Sequence, residues 1–205
     1  APVISSAAQS GATAEDGPLT AAGTVSASDV DHDAVLSFTG DATGTYGSFT
    51  VNASSGAWLY TMTNSQSLSA NDRFTETFTV TVTDDKGATT TQDVTITVTG
   101  TNDAPVISSA AQSGATAEDG PLTAAGTVSA SDVDHDAVLS FTGDATGTYG
   151  SFTVNASSGA WLYTMTNSQS LSANDRFTET FTVTVTDDQG ATTTQDVTIT
   201  VTGTN

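Results

Sequence analysis

Phe74-Thr75-Glu76-Thr77-Phe78-Thr79-Val80-Thr81-Val82-Thr83 places apolar side chains at Phe74, Phe78, Val80 and Val82 and threonine at Thr75, Thr77, Thr79 and Thr81. Successive side chains on a strand point to opposite faces, so the pattern predicts a strand with one apolar face and one threonine face. Val94, Ile96 and Val98 alternate with Thr95, Thr97 and Thr99 in the same way. Between the two runs, Asp84-Asp85-Lys86-Gly87 supplies a glycine where a tight hairpin needs positive φ. Two such strands, each buried on one side, predict an antiparallel sheet lying on a core.

Working outward, Phe49 and Val51 alternate with Ser48 and Thr50. After a turn at residues 52–56 comes Trp58-Leu59-Tyr60-Thr61-Met62, a second hairpin signal. Residues 19–27, around Val25, and 35–38 predict further strands. Glu15-Asp16-Gly17-Pro18 and the Gly-rich stretch 40–47 read as turns. Residues 1–14 are small and polar after Val3 and Ile4, and 64–73 read as irregular. No segment carries an apolar stripe at helical spacing. About seven short strands in roughly 100 residues predict an immunoglobulin-like β-sandwich.

The sequence then starts again. Ala1-Pro2-Val3-Ile4 returns as Ala104-Pro105-Val106-Ile107, and each later residue recurs 103 positions on, the one difference being Lys86 against Gln189. The expectation is an all-β chain of two antiparallel β-sandwich domains, residues 1–102 and 103–205, arranged end to end. A unit of this length is a normal single-domain size. The seam Thr101-Asn102-Asp103-Ala104-Pro105 is too short and too acidic for a flexible linker and predicts a stiffened joint. Because the sequence begins and ends within its repeat pattern, it reads as a piece of a longer array, with any secretion signal elsewhere.

Acidic residues number 23 against three Lys and Arg, a formal charge of −20. Nucleic acid and anionic membrane surfaces are bound through basic residues, so neither is an expected partner. Without Cys there are no disulfides and no thiolate metal sites. Nothing in the sequence reads as a membrane-inserting run. The expected state is a monomeric fragment.

Alternating strand directions sort the acids. Asp29, Asp31, Asp33 and Asp84 fall at the N-terminal end of the first sandwich; Glu15, Asp16, Asp72, Asn102 and Asp103 fall at the opposite end. The latter set is expected to face Asp132, Asp134, Asp136, Asp187 and Asp188 of the second copy. So many carboxylates repel unless a cation joins them, and an all-oxygen donor set suits Ca2+. Asp132-Val133-Asp134-His135-Asp136 has the alternate spacing of a calcium loop, but Ala137 and Gly143 stand where a helical hand needs Gly and Glu. The loop is therefore placed on a β-sandwich. Glu118 and Asp175, like Asp29, Asp31, Asp33 and Asp84, form partial end sites expected to hold Ca2+ weakly or not at all.

Glu15-Asp16-Gly17, Asp29-Val30-Asp31, Gly56-Ala57-Trp58-Leu59-Tyr60, the run from Phe78 to Asp84 and Thr99-Gly100-Thr101-Asn102-Asp103-Ala104-Pro105 together resemble the VCBS-type repeat of large bacterial RTX adhesins. The layout is also similar to cadherins. That resemblance implies interdomain calcium held by Glu15, Asp72, Asn102 with Asp103, the loop Asp132 to Asp136, and Asp187. Thr99 and Thr101 depart from it, standing where a cadherin linker carries Asp and Asn.

The implied role is a calcium-rigidified extender on the bacterial cell surface, partnered by neighbouring identical repeats, in adhesion or biofilm formation. An alternative from another class is a glycan-binding module using Trp58 and Trp161, with Tyr60 beside Trp58, although alternating aromatics on a strand more often serve a core. No nucleophile pairs with His32 or His135, so no enzyme is expected. Arg73 is expected to pair with acids or to lay its stem on the sheet.

Overall fold

The computed structural model describes residues 1–63, 67–167 and 171–204. The chain divides into two compact units, Ala1–Asn102 and Asp103–Asn205. Among the described residues of the first unit are ten strands: β1 (Val3–Ile4), β2 (Gln9–Ala14), β3 (Thr20–Thr24), β4 (Ala27–Ser28), β5 (Ser37–Thr39), β6 (Ala42–Thr43), β7 (Gly47–Val51), β8 (Ala57–Met62), β9 (Arg73–Thr83) and β10 (Thr89–Thr99). The second unit repeats them from β11 (Val106–Ile107) to β20 (Thr192–Thr202). No helix among the described residues is long and apolar enough to cross a membrane.

Two four-stranded sheets, ordered β2-β10-β9-β5 and β3-β8-β7-β6, enclose the core, and β1 pairs with β4 beside them. The threonine strands behave as their alternation predicts. Phe78, Val80, Val82, Val94, Ile96 and Val98 are buried, packed with Phe49, Trp58, Tyr60 and Met62 from the facing sheet. Phe49 stacks on Phe78 with ring centroids 4.8 Å apart. Phe74 leaves the pattern: at the strand's start it is exposed and stacks on Tyr46 instead.

Three expectations need correction. The strand predicted over 19–27 is two, because β3 pairs with β8 whereas β4 pairs with β1, and the chain changes partner at buried Val25. The Gly-rich stretch 40–47 contains the short β6, paired with β7. The segment Gln9–Ala14, read only as small and polar, is a strand that runs parallel to β10, so the sheet is not wholly antiparallel. Its lack of an apolar signal has a steric cause. A Cβ at Gly11 would lie 2.6 Å from Ala21 Cβ and 3.3 Å from the Trp58 ring, so bulk is excluded.

Of the stretch 64–73 read as irregular, residues 67–72 form no strand and Arg73 already lies in β9. Residues 64–66 of that stretch, residues 168–170 and Asn205 lie outside the described residues. Neither Arg73 nor Arg176 makes an ion pair among the described residues, and both side chains are exposed.

Candidate metal centre

At the N-terminal end of the first unit two loops meet the chain start. The β9–β10 turn closes with Gly87 N–H donating to Asp84 O at 3.1 Å, Gly87 having φ +89°. Asp84 Oδ1 accepts the N–H groups of Lys86 and Ala88 at 2.9 and 2.8 Å, which fixes the carboxylate and leaves Oδ2 pointing away from the turn. Asp29 does the same in its own loop, Oδ1 accepting from Asp31 N–H at 3.0 Å. That hydrogen bond is the main reason its carboxyl lies below the usual carboxylate range. Both Oδ2 atoms face one cation: the Ala1 ammonium lies 3.5 Å from Asp29 and 3.8 Å from Asp84.

The second unit builds the same end from Asp103, Asp132, Asp134 and Asp187. Asp132 Oδ1 accepts Asp134 N–H at 3.0 Å, and Asp187 Oδ1 accepts from Gln189 and Ala191 at 2.9 Å each. Asp103 N–H donates to Asp134 Oδ2 at 2.9 Å, and carboxylate oxygens of these two residues approach within 4.8 Å. Asp134 is 8% exposed and Asp187 5%. Asp132 Oδ2 and Asp134 Oδ1 are buried and accept no hydrogen bond among the described residues. The Asp134 carboxyl is accordingly pushed up, first by desolvation and then by the charges of Asp132, Asp103 and Asp187, against the pull of the Asp103 N–H.

Asp31, Asp33 and Asp136 stand apart. Asp31 is exposed; Asp33 and Asp136 adopt φ +64° and +61°, are exposed, and lie beside the ring nitrogens of His32 and His135 at 2.7 and 3.2 Å. Asp188 also belongs to the outer face. It accepts Val138 N–H at 3.0 Å, the main cause of its lowered pKa, and Gln189 Nε2 at 3.1 Å.

The opposite end of the first unit gathers Glu15, Asp16 and Asp72 around the exit of β10. Glu15 Oε1 accepts Leu68 N–H at 3.4 Å and Oε2 accepts Thr101 N–H at 3.1 Å. The Thr101 hydroxyl donates to Asp16 Oδ2 at 2.8 Å. Asp72 Oδ2 accepts Ser69 N–H at 3.0 Å while its carbonyl accepts Gly100 N–H at 3.0 Å. Half-buried Asn102 ends the unit. In the second unit Glu118 accepts Thr204 N–H at 3.1 Å and Asp175 accepts Ser172 N–H at 2.8 Å.

Sequence reasoning missed the role of Thr101. Its departure from the cadherin linker pattern was the available signal: a residue with both an N–H and a hydroxyl donor, placed where a carboxamide is expected, orients two neighbouring acids. Also missed was that one oxygen of the first carboxylate of each loop is taken by its own turn.

The aromatic alternative does not survive the geometry. Trp58 is 2% exposed and Tyr60 fully buried, as are their counterparts Trp161 and Tyr163. Trp58 Nε1 donates to Gln9 Oε1 at 3.0 Å, and the Tyr60 hydroxyl to Glu76 Oε2 at 2.5 Å. These rings are the floor of the core, with no face left for a sugar.

Two β-sandwiches in tandem, with acids concentrated in the loops at their ends, define a modular repeat protein. The bacterial cadherin-like domain model matches residues 1–100 and again 102–203, and the chain belongs to that family. No curated protein matches it. Among solved structures it is similar to mouse cadherin-23 EC22–24, at 20% identity and TM-score 0.52, over 98% of this chain and 64% of that one. It is also similar to protocadherin gamma B2 extracellular cadherin domains 1–5, at 14% identity and TM-score 0.55, over 98% of this chain and 39% of that one. At these identities the likeness is one of fold, and the chain spans less than two thirds of either relative.

Proposed function

We propose that the chain is a calcium-rigidified pair of extender repeats from a large, extracellular bacterial adhesin of the VCBS and RTX type. It projects a distal ligand-binding region from the cell surface and performs no catalysis. The observation that carries this is the pair of buried oxygens, Asp132 Oδ2 and Asp134 Oδ1, with no hydrogen-bond donor among the described residues, in a cluster of four aspartates. A buried carboxylate oxygen without a partner is costly, and a cation removes the cost. The donors are all hard oxygens and both His side chains lie on the exposed side, which fits Ca2+ better than zinc or copper.

We assign Asp132, Asp134 and Asp187, with Asp103, to one calcium site at the N-terminal end of the second unit. Asp136 contributes least, since its side chain is exposed and lies beside His135. Calcium then acts by linkage: it binds the folded arrangement and stabilises it by mass action. The test is thermal melting together with small-angle scattering, in calcium and then in chelator. A higher melting temperature and a straighter, less variable particle in calcium are expected; identical curves in the two conditions rule the mechanism out.

A further inference from the structure

The two units differ at one position in the whole repeat, and that position lies beside the acidic end. Lys86 and Gln189 occupy the tip of the same hairpin turn, two residues beyond Asp84 and Asp187. Their backbone N–H groups do the same work, each donating at 2.9 Å to Oδ1 of that aspartate. Their side chains also seek the same partner. Lys86 Nζ forms an ion pair with Asp85 Oδ2, and Gln189 Nε2 donates to the equivalent Asp188 Oδ2. The head groups are therefore similarly placed, and what changes is one unit of positive charge at the rim of a buried carboxylate cluster.

We propose that the residue at this turn position tunes how tightly the acidic end of its unit holds a divalent cation, lysine weakening and glutamine strengthening the grip. This rests on the calcium site proposed above. In the first unit the Lys86 ammonium neutralises Asp85 and sits close enough to Asp84 to feel its charge. In the second unit Gln189 offers Asp188 only a dipole, so the turn next to Asp187 carries one more net negative charge than its counterpart in the first unit. A fixed positive charge repels an incoming divalent ion twice as strongly as it would a monovalent one. Because Lys86 is exposed, with 80% of its side chain accessible, water screens the effect and keeps it modest. An array of such repeats can in this way grade its joints without altering a single metal ligand.

The test is calorimetric titration of the full 205-residue chain with calcium, comparing the unaltered protein with Gln189→Lys, Gln189→Glu and Lys86→Gln. At low ionic strength Gln189→Lys is expected to weaken the tightest site about two- to fivefold, and Gln189→Glu to move it the other way. Lys86→Gln should strengthen whatever binding the first unit's N-terminal end supports. The differences should shrink in molar salt, where charges at this range are screened. Equal affinities for Gln189→Lys, Gln189→Glu and the unaltered chain at low salt overturn the inference while leaving the calcium site standing. A Gln189→Lys loss that persists in molar salt also overturns it, since that marks a structural and not an electrostatic effect. No calcium binding by the unaltered chain overturns both.

Discussion

Burial holds the Asp134 carboxyl above the usual carboxylate range, with Asp132, Asp103 and Asp187 adding to the shift. A carboxyl with a raised folded-state pKa favours folding only while protonated. Its contribution is fully present below the unfolded-state value and is lost as pH rises through the folded one. At neutral pH without calcium, ionised Asp134 therefore opposes the fold. Asp134→Asn is expected to raise the melting temperature of the chelated protein at pH 7. The gain should fade on acidification towards the ordinary aspartate range, where the native residue becomes neutral too. The same variant should lose most of the stabilisation that calcium gives. Melting curves over a pH series, with calcium and with chelator, check both halves; a variant less stable than the parent in chelator at pH 7 contradicts the first. Stability without the ion and affinity for it pull this residue in opposite directions, as is common where a site must be ready for a ligand.

At the scale of elements, the turns show which backbone demands are local and which come from packing. Gly87 has φ +89° and nothing within 4 Å of a would-be Cβ, so Gly87→Ala meets only the conformational cost, about 1–2 kcal/mol. Gly56 has φ +68°, and a Cβ there would lie 2.2 Å from Val25 O and 2.7 Å from the Phe38 ring. Gly56→Ala should therefore be worse by at least about 2 kcal/mol, since backbone and core must both move. Urea denaturation of the two variants isolates that steric part, and equal losses would contradict it. The Asp84–Gly87 turn was legible because charge, glycine and flanking alternation all lie within a few residues. The parallel pairing of β2 with β10 was not. Gln9–Ala14 carries no apolar period, and its small residues answer to Ala21 and the Trp58 ring, which lie far away in sequence. For the same reason the break at Val25 escaped notice: a change of strand partner leaves no mark on composition. The site divided similarly. That the acids sort to the two ends of a sandwich followed from strand alternation, and in the first unit Asp29 and Asp84 do share an end while Glu15, Asp16 and Asp72 gather around the exit of β10. Which acids turn inward did not follow, because Asp134 and Asp136 have the same spacing pattern; in the structure Asp134 is buried and accepts Asp103 N–H, whereas Asp136 has a left-handed backbone and is exposed.

For the molecule as a whole, charge is the dominant fact: a formal charge of −20 with three Lys and Arg to offset it. One of the three, Lys86, is already paired with its neighbour Asp85, and the two arginines form no ion pair among the described residues. Self-repulsion of this kind weakens the compact state. Two kinds of cation can relieve it, and they act differently. Monovalent salt screens all the carboxylates weakly, shortening the Debye length from about 30 Å at 0.01 M to about 3 Å at 1 M. Calcium neutralises only the acids that converge, but does so at contact, where desolvated oxygens gain most. The chelated protein is therefore expected to melt at steadily higher temperature as sodium chloride is raised, because nothing else offsets its charge. The calcium-loaded protein should respond much less, and at high salt its advantage over the chelated form should narrow without vanishing, since Asp132 Oδ2 and Asp134 Oδ1 are buried where mobile ions screen poorly. Melting temperature measured across a salt series in both states decides the matter. Parallel lines would mean that calcium acts somewhere other than on this shared electrostatic load; complete convergence would mean that it acts only as one more screening ion.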